Sequence, residues 1–343
     1  CTVTTRSLTS FARSTRMTEP LGFSVLPQAL RAGYAELLTA CGLRDEGDSE
    51  WTVVLLGEDD TILACGSLSG KILKQLAVRP EASGGGACAA VVTALLQEAL
   101  RRGVTHPFLY TKPANVRMFR SMGFYPIAQT AEMCMMERRR DGLARYLAAI
   151  PPAPEAAAVV CNCNPFTLGH LHLIETAAAE NPAVYVFVLS EENGGMFSAA
   201  DRLSLVRAGT AQLPNVTVVP GGDYLISRGS FPAYFLKGDP EEARCDLDLT
   251  LFGQRIAPAL RIRRRYVGSE PFSPLTERYN ARMKLLLPPL GVEVRELPRY
   301  RDISASRVRE CIRAGCIDQT RAMVPETTYA FLKNHFGADA PCP

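Results

Sequence analysis

Cys161-Asn162-Cys163-Asn164-Pro165-Phe166-Thr167-Leu168-Gly169-His170 follows the apolar run Ala158 to Cys161 and opens a helical pattern that continues to Ala179. Strand, turn and helix start, in that order, set the amides of a first helical turn where an anion binds, because those N–H groups lack partners within the helix and carry partial positive charge. Gly169 removes a side chain so that main chain approaches a ligand, Thr167 offers a hydroxyl, and His170 can donate to a phosphate oxygen from the first turn. Outward from this stretch the chain alternates between the two periods. Val184 to Ser190 reads as a strand, and Ala199 to Gln212 as a helix opened by Ser198 with Asp201 three residues on. Val216 to Val219, Arg265 to Gly268 and Val292 to Leu297 read as further strands with helices between them. The alternation predicts an α/β fold with a parallel sheet covered on both faces and ligands at the carboxyl ends of its strands.

A second stretch points the same way. In Ile303-Ser304-Ala305-Ser306-Arg307-Val308-Arg309, Ser304 or Ser306 caps a helix running to about Ala314, ahead of Gly315, and the hydroxyls with Arg307 or Arg309 would hold phosphates. Taken singly, an Asn-Pro turn before a helix and a serine-capped helix with arginines are ordinary local chemistry. Their coincidence in one chain points to a triphosphate. His172, two residues beyond His170, points away from it on a helix and reads as packing or surface. Arg202, Lys237 and Arg278 are loose candidates for phosphate or carboxylate contacts, against the blander reading of solvated charges. Cys161 and Cys163 lack a second pair at zinc spacing and read as core thiols, so no metal ligands are expected.

Charge gives way to proline and alanine between Arg138-Arg139-Arg140 and Ile150-Pro151-Pro152-Ala153-Pro154, a stiff segment poor in amide donors. The seam is placed at Pro151, giving domains 1–150 and 151–343. Before it the pattern predicts a helix from Gln28 to Cys41 and a hairpin, Trp51 to Leu56 and Thr61 to Ser67, across the turn Gly57 to Asp60. A strand ending at Val78 follows, then a helix from Ala87 to Arg101, with Leu95, Leu96, Ala99 and Leu100 on one face. The run Gly84-Gly85-Gly86 before that helix again invites a phosphate-binding reading.

The Thr167 to His170 stretch resembles the Thr-x-Gly-His signature of the nucleotidyltransferase superfamily, and Ile303 to Arg309 resembles its Ile-Ser-x-Ser/Thr-x-x-Arg signature. The strings Asn162 to His170, Tyr224-Leu225-Ile226-Ser227, Phe231-Pro232-Ala233-Tyr234-Phe235-Leu236-Lys237 and Val267-Gly268-Ser269-Glu270-Pro271 look like the citrate lyase ligase family over nearly the whole chain. That resemblance implies a Rossmann-like C-terminal domain that uses ATP and Mg²⁺. Its ATP site would comprise Asn162, Asn164, Pro165, Phe166, Gly169, Ser304, Ser306, Arg307 and Arg309, with His170 and Thr167 as catalytic residues. The reaction it implies joins acetate, through acetyl-adenylate, to the phosphoribosyl-dephospho-CoA thiol on the acyl carrier subunit of citrate lyase, releasing AMP and pyrophosphate. The first domain resembles the GNAT acetyltransferase family through Leu76-Ala77-Val78-Arg79-Pro80 and Asn115 to Phe124. Ser83 and Cys88 depart from that family's pyrophosphate loop, Arg/Gln-x-x-Gly-x-Gly/Ala, so the fold is expected to grip the CoA-like arm of the partner through Val78, Gly84, Gly86 and Asn115, or to be a packing module without a ligand.

Composition excludes several classes. An apolar fraction of 47% with 21% charged residues is the balance of a folded globular chain of two domains. No run of about 18 uncharged apolar residues occurs, so no membrane partner is expected. The Arg-containing opening Thr2 to Thr18 has no apolar signal segment, and eleven scattered cysteines fit reduced thiols, which together predict a cytoplasmic location. Arg261-Ile262-Arg263-Arg264-Arg265 lacks interleaved aromatics, so nucleic acid is not expected; it reads as a solvated sheet edge or a patch for an acidic carrier. Two other activities stay open: adenylyl transfer to a phosphorylated small molecule such as phosphopantetheine, and an N-terminal acetyltransferase with a regulatory nucleotide-binding domain. The long insert Gly222 to Pro258 favours the ligase over the first, and the altered loop counts against the second.

Overall fold

Two apolar runs divided by the polar turn Gly57 to Asp60 pair as an antiparallel hairpin, β2 (Trp51–Leu56) and β3 (Ile62–Ser69), in the computed structural model of the chain. The structure describes residues 19–190, 196–226, 231–270, 273–301 and 303–337; the opening Thr2 to Thr18, Ser227 and Pro271 lie outside them. With β1 (Leu21–Phe23), β4 (Ile72–Val78), β5 (Phe108–Thr111), β6 (Tyr125–Gln129) and β7 (Cys134–Glu137), the hairpin forms a seven-stranded sheet ordered β1-β2-β3-β4-β5-β7-β6. Helix α1 (Gln28–Ala40) buries Tyr34, Leu37 and Leu38 against Val54, Ile62, Cys65 and Ala77. Helix α2 (Ala87–Arg101) comes so near the sheet that a Cβ on Gly66 would lie 2.6 Å from Leu76 Cδ2 and 2.9 Å from Leu95 Cδ1. Its buried stripe is Val91, Val92, Leu95 and Ala99, while Leu100, expected on that face, is 65% exposed. Two short helices, α3 (Val116–Ser121) and α4 (Gly142–Ala148), complete this part of the chain.

Beyond Pro151 the strands β8 (Ala156–Cys161), β9 (Val184–Val188), β10 (Val216–Pro220), β11 (Ile262–Gly268) and β12 (Glu293–Leu297) form a wholly parallel sheet ordered β10-β9-β8-β11-β12. All five residues of β9 are buried, as befits a strand covered on both faces. The helices are α5 (Leu168–Glu180), α6 (Ala199–Gly209), α7 (Pro240–Leu251), α8 (Ala257–Ala259), α9 (Pro274–Leu286), α10 (Ala305–Arg313) and α11 (Glu326–Phe336). One core gathers Val159, Val186 and Val188 with Phe166, Ile174, Val206, Val308 and Leu332. Strand order reverses between β8 and β11, the switch point where ligands bind in such sheets.

The basic run is not a sheet edge. β11 is an interior strand between β8 and β12, and Arg265 is only 3% exposed. Its guanidinium lies 4.4 Å from the Phe252 ring centroid and donates to the Tyr279 hydroxyl at 3.0 Å, so stacking and hydrogen bonding replace water. Packing divides the chain into two units: the described residues up to Tyr110 with Tyr234–Leu236, and Thr111–Ala233 with the described residues from Lys237 on. The Pro151 seam lies between the last strand of the first sheet and the first of the second. Among the described cysteines, Cys41, Cys65, Cys88, Cys134, Cys161, Cys163, Cys245 and Cys311 are free thiols. Cys316 is disulfide-bonded, so the reduced-thiol expectation fails there. No helix of the described residues is long and apolar enough to cross a membrane.

Candidate functional site

β8 ends at Cys161 and the chain turns through Asn162 to Phe166 before α5 begins. Cys163 takes φ +51° and is buried, its thiol 2.8 Å from that of Cys161 and held protonated by burial. Phe166 is fully buried under the turn, and α6 passes so closely that a Cβ on Gly209 would lie 2.4 Å from its ring. That ring stacks against His170 at a centroid distance of 6.0 Å.

Thr167 and His170 close a reciprocal cap at the start of α5. The Thr167 N–H donates to His170 Nδ1 at 3.1 Å, and a main-chain N–H can only donate, so Nδ1 carries the lone pair. The Thr167 hydroxyl, 2.9 Å from Nδ1, donates to it as well, while its oxygen accepts from the His170 N–H at 3.4 Å. Burial pushes the imidazole down to about 4, so the ring is neutral at pH 7 and its proton sits on Nε2. The threonine hydroxyl, read from sequence as a phosphate donor, is therefore turned to the ring, and Nε2–H is the donor left over. One residue before His170, a Cβ on Gly169 would meet, among the described residues, only Thr167 Oγ1, at 3.6 Å. Glycine costs a helix about 1 kcal/mol relative to alanine, and no close packing contact among the described residues asks for it.

Ser304 caps α10 by accepting from the Arg307 N–H at 3.1 Å. From the same turn Arg309 donates through Nη1 to the Asn164 carbonyl and through Nη2 to Ser306 Oγ at 2.9 Å. Two motifs 145 residues apart thus meet at the carboxyl ends of the strands. Val308 anchors α10 in the core that holds Phe166, whereas Ser306 and Arg307 are exposed. Asn164 Oδ1 is buried with no hydrogen-bond partner among the described residues, an unmet polar group at the mouth of the site. Pro165 is buried in the turn, and Asn162 is exposed.

Arg202 was legible only as a charge. It is 2% exposed and donates to the carbonyls of Asn162 at 3.1 Å and Leu189 at 2.8 Å, tying the ends of β8 and β9 together. Arg278 pairs with Asp239 at 3.0 Å on the surface and Lys237 is exposed, both as solvated charges. His172 stacks on Tyr300 at 4.5 Å. Across the switch point Gly268 ends β11 with no atom of the described residues within 4 Å of a built Cβ; a glycine closing a strand was the available signal. Beside it the Ser269 N–H donates to the Leu297 carbonyl at 2.9 Å and Arg299 pairs with Glu270 at 2.7 Å, joining the ends of β11 and β12.

In the N-terminal unit, Val78 ends β4, and Gly84 and Gly86 take φ +80° and +84°, with open space at each Cβ position. Gly86 caps α2, a conformation glycine adopts freely. Burial pushes the nearby Cys88 thiol up to about 11, which leaves it protonated. Asn115 is exposed ahead of α3, in the other unit. No group of three or more His, Cys, Asp or Glu that could cage a metal occurs among the described residues.

A family model described as the citrate lyase ligase C-terminal domain matches residues 156–332. The chain is 40% identical over 302 residues to the citrate pro-3S-lyase ligase of Klebsiella pneumoniae, covering 84% of this chain and 88% of that enzyme. It is also 32% identical over 120 residues to phosphopantetheine adenylyltransferase of Corynebacterium glutamicum, covering 33% of this chain and 69% of that enzyme. Among solved structures, an acyl-CoA N-acyltransferase from Pseudomonas aeruginosa is similar with a TM-score of 0.32 at 14% identity, covering 36% of this chain and 100% of that one.

Proposed function

The chain belongs to the citrate lyase ligase family, and from that premise we propose that it is an ATP-dependent acid-thiol ligase that acetylates the thiol arm of the citrate lyase acyl carrier. One observation carries the reading: the Arg309 bond to Asn164 brings both phosphate-binding motifs to the mouth where His170 Nε2–H is the donor left over. In the first step an acetate oxygen attacks the α-phosphorus of ATP, the bond to the bridging oxygen breaks, and pyrophosphate leaves. Nε2–H of His170 donates to an α-phosphate oxygen as charge builds there, and the first-turn amides of α5 and the Arg309 guanidinium take the polyphosphate. In the second step the carrier thiolate attacks the acetyl carbon of acetyl-adenylate, the bond to the phosphate oxygen breaks, and AMP leaves. Thr167 sets the histidine tautomer in both steps.

The absence of a close contact among the described residues at the Gly169 Cβ position and the unmet Asn164 Oδ1 suit a bound nucleotide. Mg²⁺ fits as a companion of the triphosphate, because that ion keeps waters and leans on phosphate oxygens. A reaction consuming ATP belongs in the cytoplasm, where that pool is. The deciding experiment is ATP–pyrophosphate exchange on the purified chain with Mg²⁺, with and without acetate. Exchange that requires acetate supports the ligase; exchange with phosphopantetheine alone would replace it with an adenylyltransferase; acetyl-CoA turnover without ATP would move the chemistry to the N-terminal domain.

A further inference from the structure

β4 and β5 are parallel neighbours whose ladder pairs Ile72 with Phe108 and Leu73 with Leu109 and goes no further. Beyond that point the strands part, and main-chain groups inside a sheet need partners wherever pairing stops. Gln75, φ +55°, sits at the register shift between β3 and β4, and its side chain turns into the unit. Gln75 Oε1 accepts from the hydroxyls of Tyr34 at 3.0 Å, Ser49 at 3.0 Å and Ser67 at 2.6 Å, and Nε2 donates to the Arg44 carbonyl at 3.0 Å. The gap is filled by residues far along the chain. Tyr234 donates its hydroxyl to the Tyr110 carbonyl of β5 at 3.4 Å. Its own carbonyl accepts from the Arg44 N–H at 2.9 Å, and the Lys74 ammonium, buried against Glu46 and Asp48, stands 5.9 Å from its ring centroid. Phe235 meets the Tyr234 ring edge-on at 5.0 Å, and Tyr234, Phe235 and Leu236 are 5%, 5% and 8% exposed.

We propose that Tyr234-Phe235-Leu236 is a resident occupant of the gap between β4 and β5, an internal ligand that closes the N-terminal sheet to an extended, amide-bearing arm of the pantetheine type. A hydroxyl on the Tyr110 carbonyl of β5, on a ring beside Lys74 of β4, does what an amide of such an arm would do. For an arm to enter, two aromatic rings and a leucine must first be exposed to water, a loss its few amides do not offset. The N-terminal sheet is thereby a closed scaffold, and a carrier arm is handled elsewhere. This inference stands apart from the proposed ligase chemistry, since it concerns a different sheet.

Hydrogen exchange on the full chain tests it. In Tyr234→Ala, peptides spanning β4 and β5 should exchange at least tenfold faster than in the unaltered protein, while peptides spanning α5 and α10 keep their rates. Unchanged rates in β4 and β5 would overturn the proposal. A titration of the unaltered chain with dephospho-CoA, read by the same peptides, needs no variant and decides alone if Tyr234→Ala does not fold. No protection of β4 up to millimolar ligand is expected; saturable protection of β4 and β5 below that would show that the arm displaces the occupant and the idea fails.

Discussion

In the N-terminal sheet β4 and β5 part after two paired positions and the opening is packed with Tyr234, Phe235 and Leu236, whereas in the C-terminal sheet β8 and β11 stay paired through Val159 and Tyr266 and no atom of the described residues lies within 4 Å of a Cβ built on Gly268 at the end of β11. The polar groups follow suit. Around β4, Gln75 satisfies both ends of its amide and Lys74 holds two carboxylates. Beyond the ends of β8 and β11, the Cβ position of Gly268 has no atom of the described residues within 4 Å, that of Gly169 meets only Thr167 Oγ1, and Asn164 Oδ1 is buried without a partner among the described residues. Buried polar groups are normally satisfied, so an unmet one beside open glycines marks where something from solution completes the structure. Two sheets of one chain thus differ in how completely each meets its own polar needs, which is the difference expected between the scaffold and the reactive mouth proposed above.

Breaking that contrast at its strongest point means removing the leftover donor. His170→Ala should lower ATP–pyrophosphate exchange about 100- to 1,000-fold with the fold kept, as judged by circular dichroism; a fully active variant would make the open end as inert as the closed one. Gly209→Ala acts from beneath, since its Cβ would lie 2.4 Å from the Phe166 ring that backs His170. Overpacking of this kind costs about 1–3 kcal/mol, so urea unfolding should show that loss together with reduced exchange activity; unchanged stability would show that the ring gives way freely.

Acid should reveal the same histidine. Its folded value, about 4, lies below its ordinary 6.5, so the unfolded chain binds the proton more readily, and stability present above pH 6.5 is lost as pH falls through 4. Activity should accordingly hold down to pH 4 and then fall about tenfold per unit, the slope of a single titration. An activity limb centred near 6.5 would mean a solvated ring. The mildest change is Arg307→Ala. With its side chain exposed and its main-chain N–H supplying the cap, stability should move by no more than about 0.5 kcal/mol. A larger loss would show that the outer arginine also belongs to the mouth.

Much of the C-terminal architecture was legible because its signals are local. The caps at Ser198 with Asp201 and at Ser304 lie within one turn, and the strand and helix starts around Thr167 follow from residue type alone. The tautomer of His170 was also written locally, yet it needed the direction of one N–H, which composition does not give. What escaped depends on distant partners. Arg202 reads as a surface charge until Asn162 and Leu189 stand around it, and Arg265 reads as a sheet edge until Phe252 and Tyr279 cover it. Short strands such as β1 and β5 carry too few residues for a period to declare itself, and β5 is recognised by the neighbour it pairs with.

The place of Tyr234, Phe235 and Leu236 limits how this protein can be cut. A fragment ending at Pro151 would contain every strand of the first sheet while leaving behind the three side chains that fill its gap. Such a fragment would present a fresh apolar slot and unpaired strand edges, the ingredients of self-association. Packing units and linear order therefore interleave in this chain, and a shuffling event that moved the first sheet elsewhere would have to carry a short piece of the insert with it to keep its gap filled.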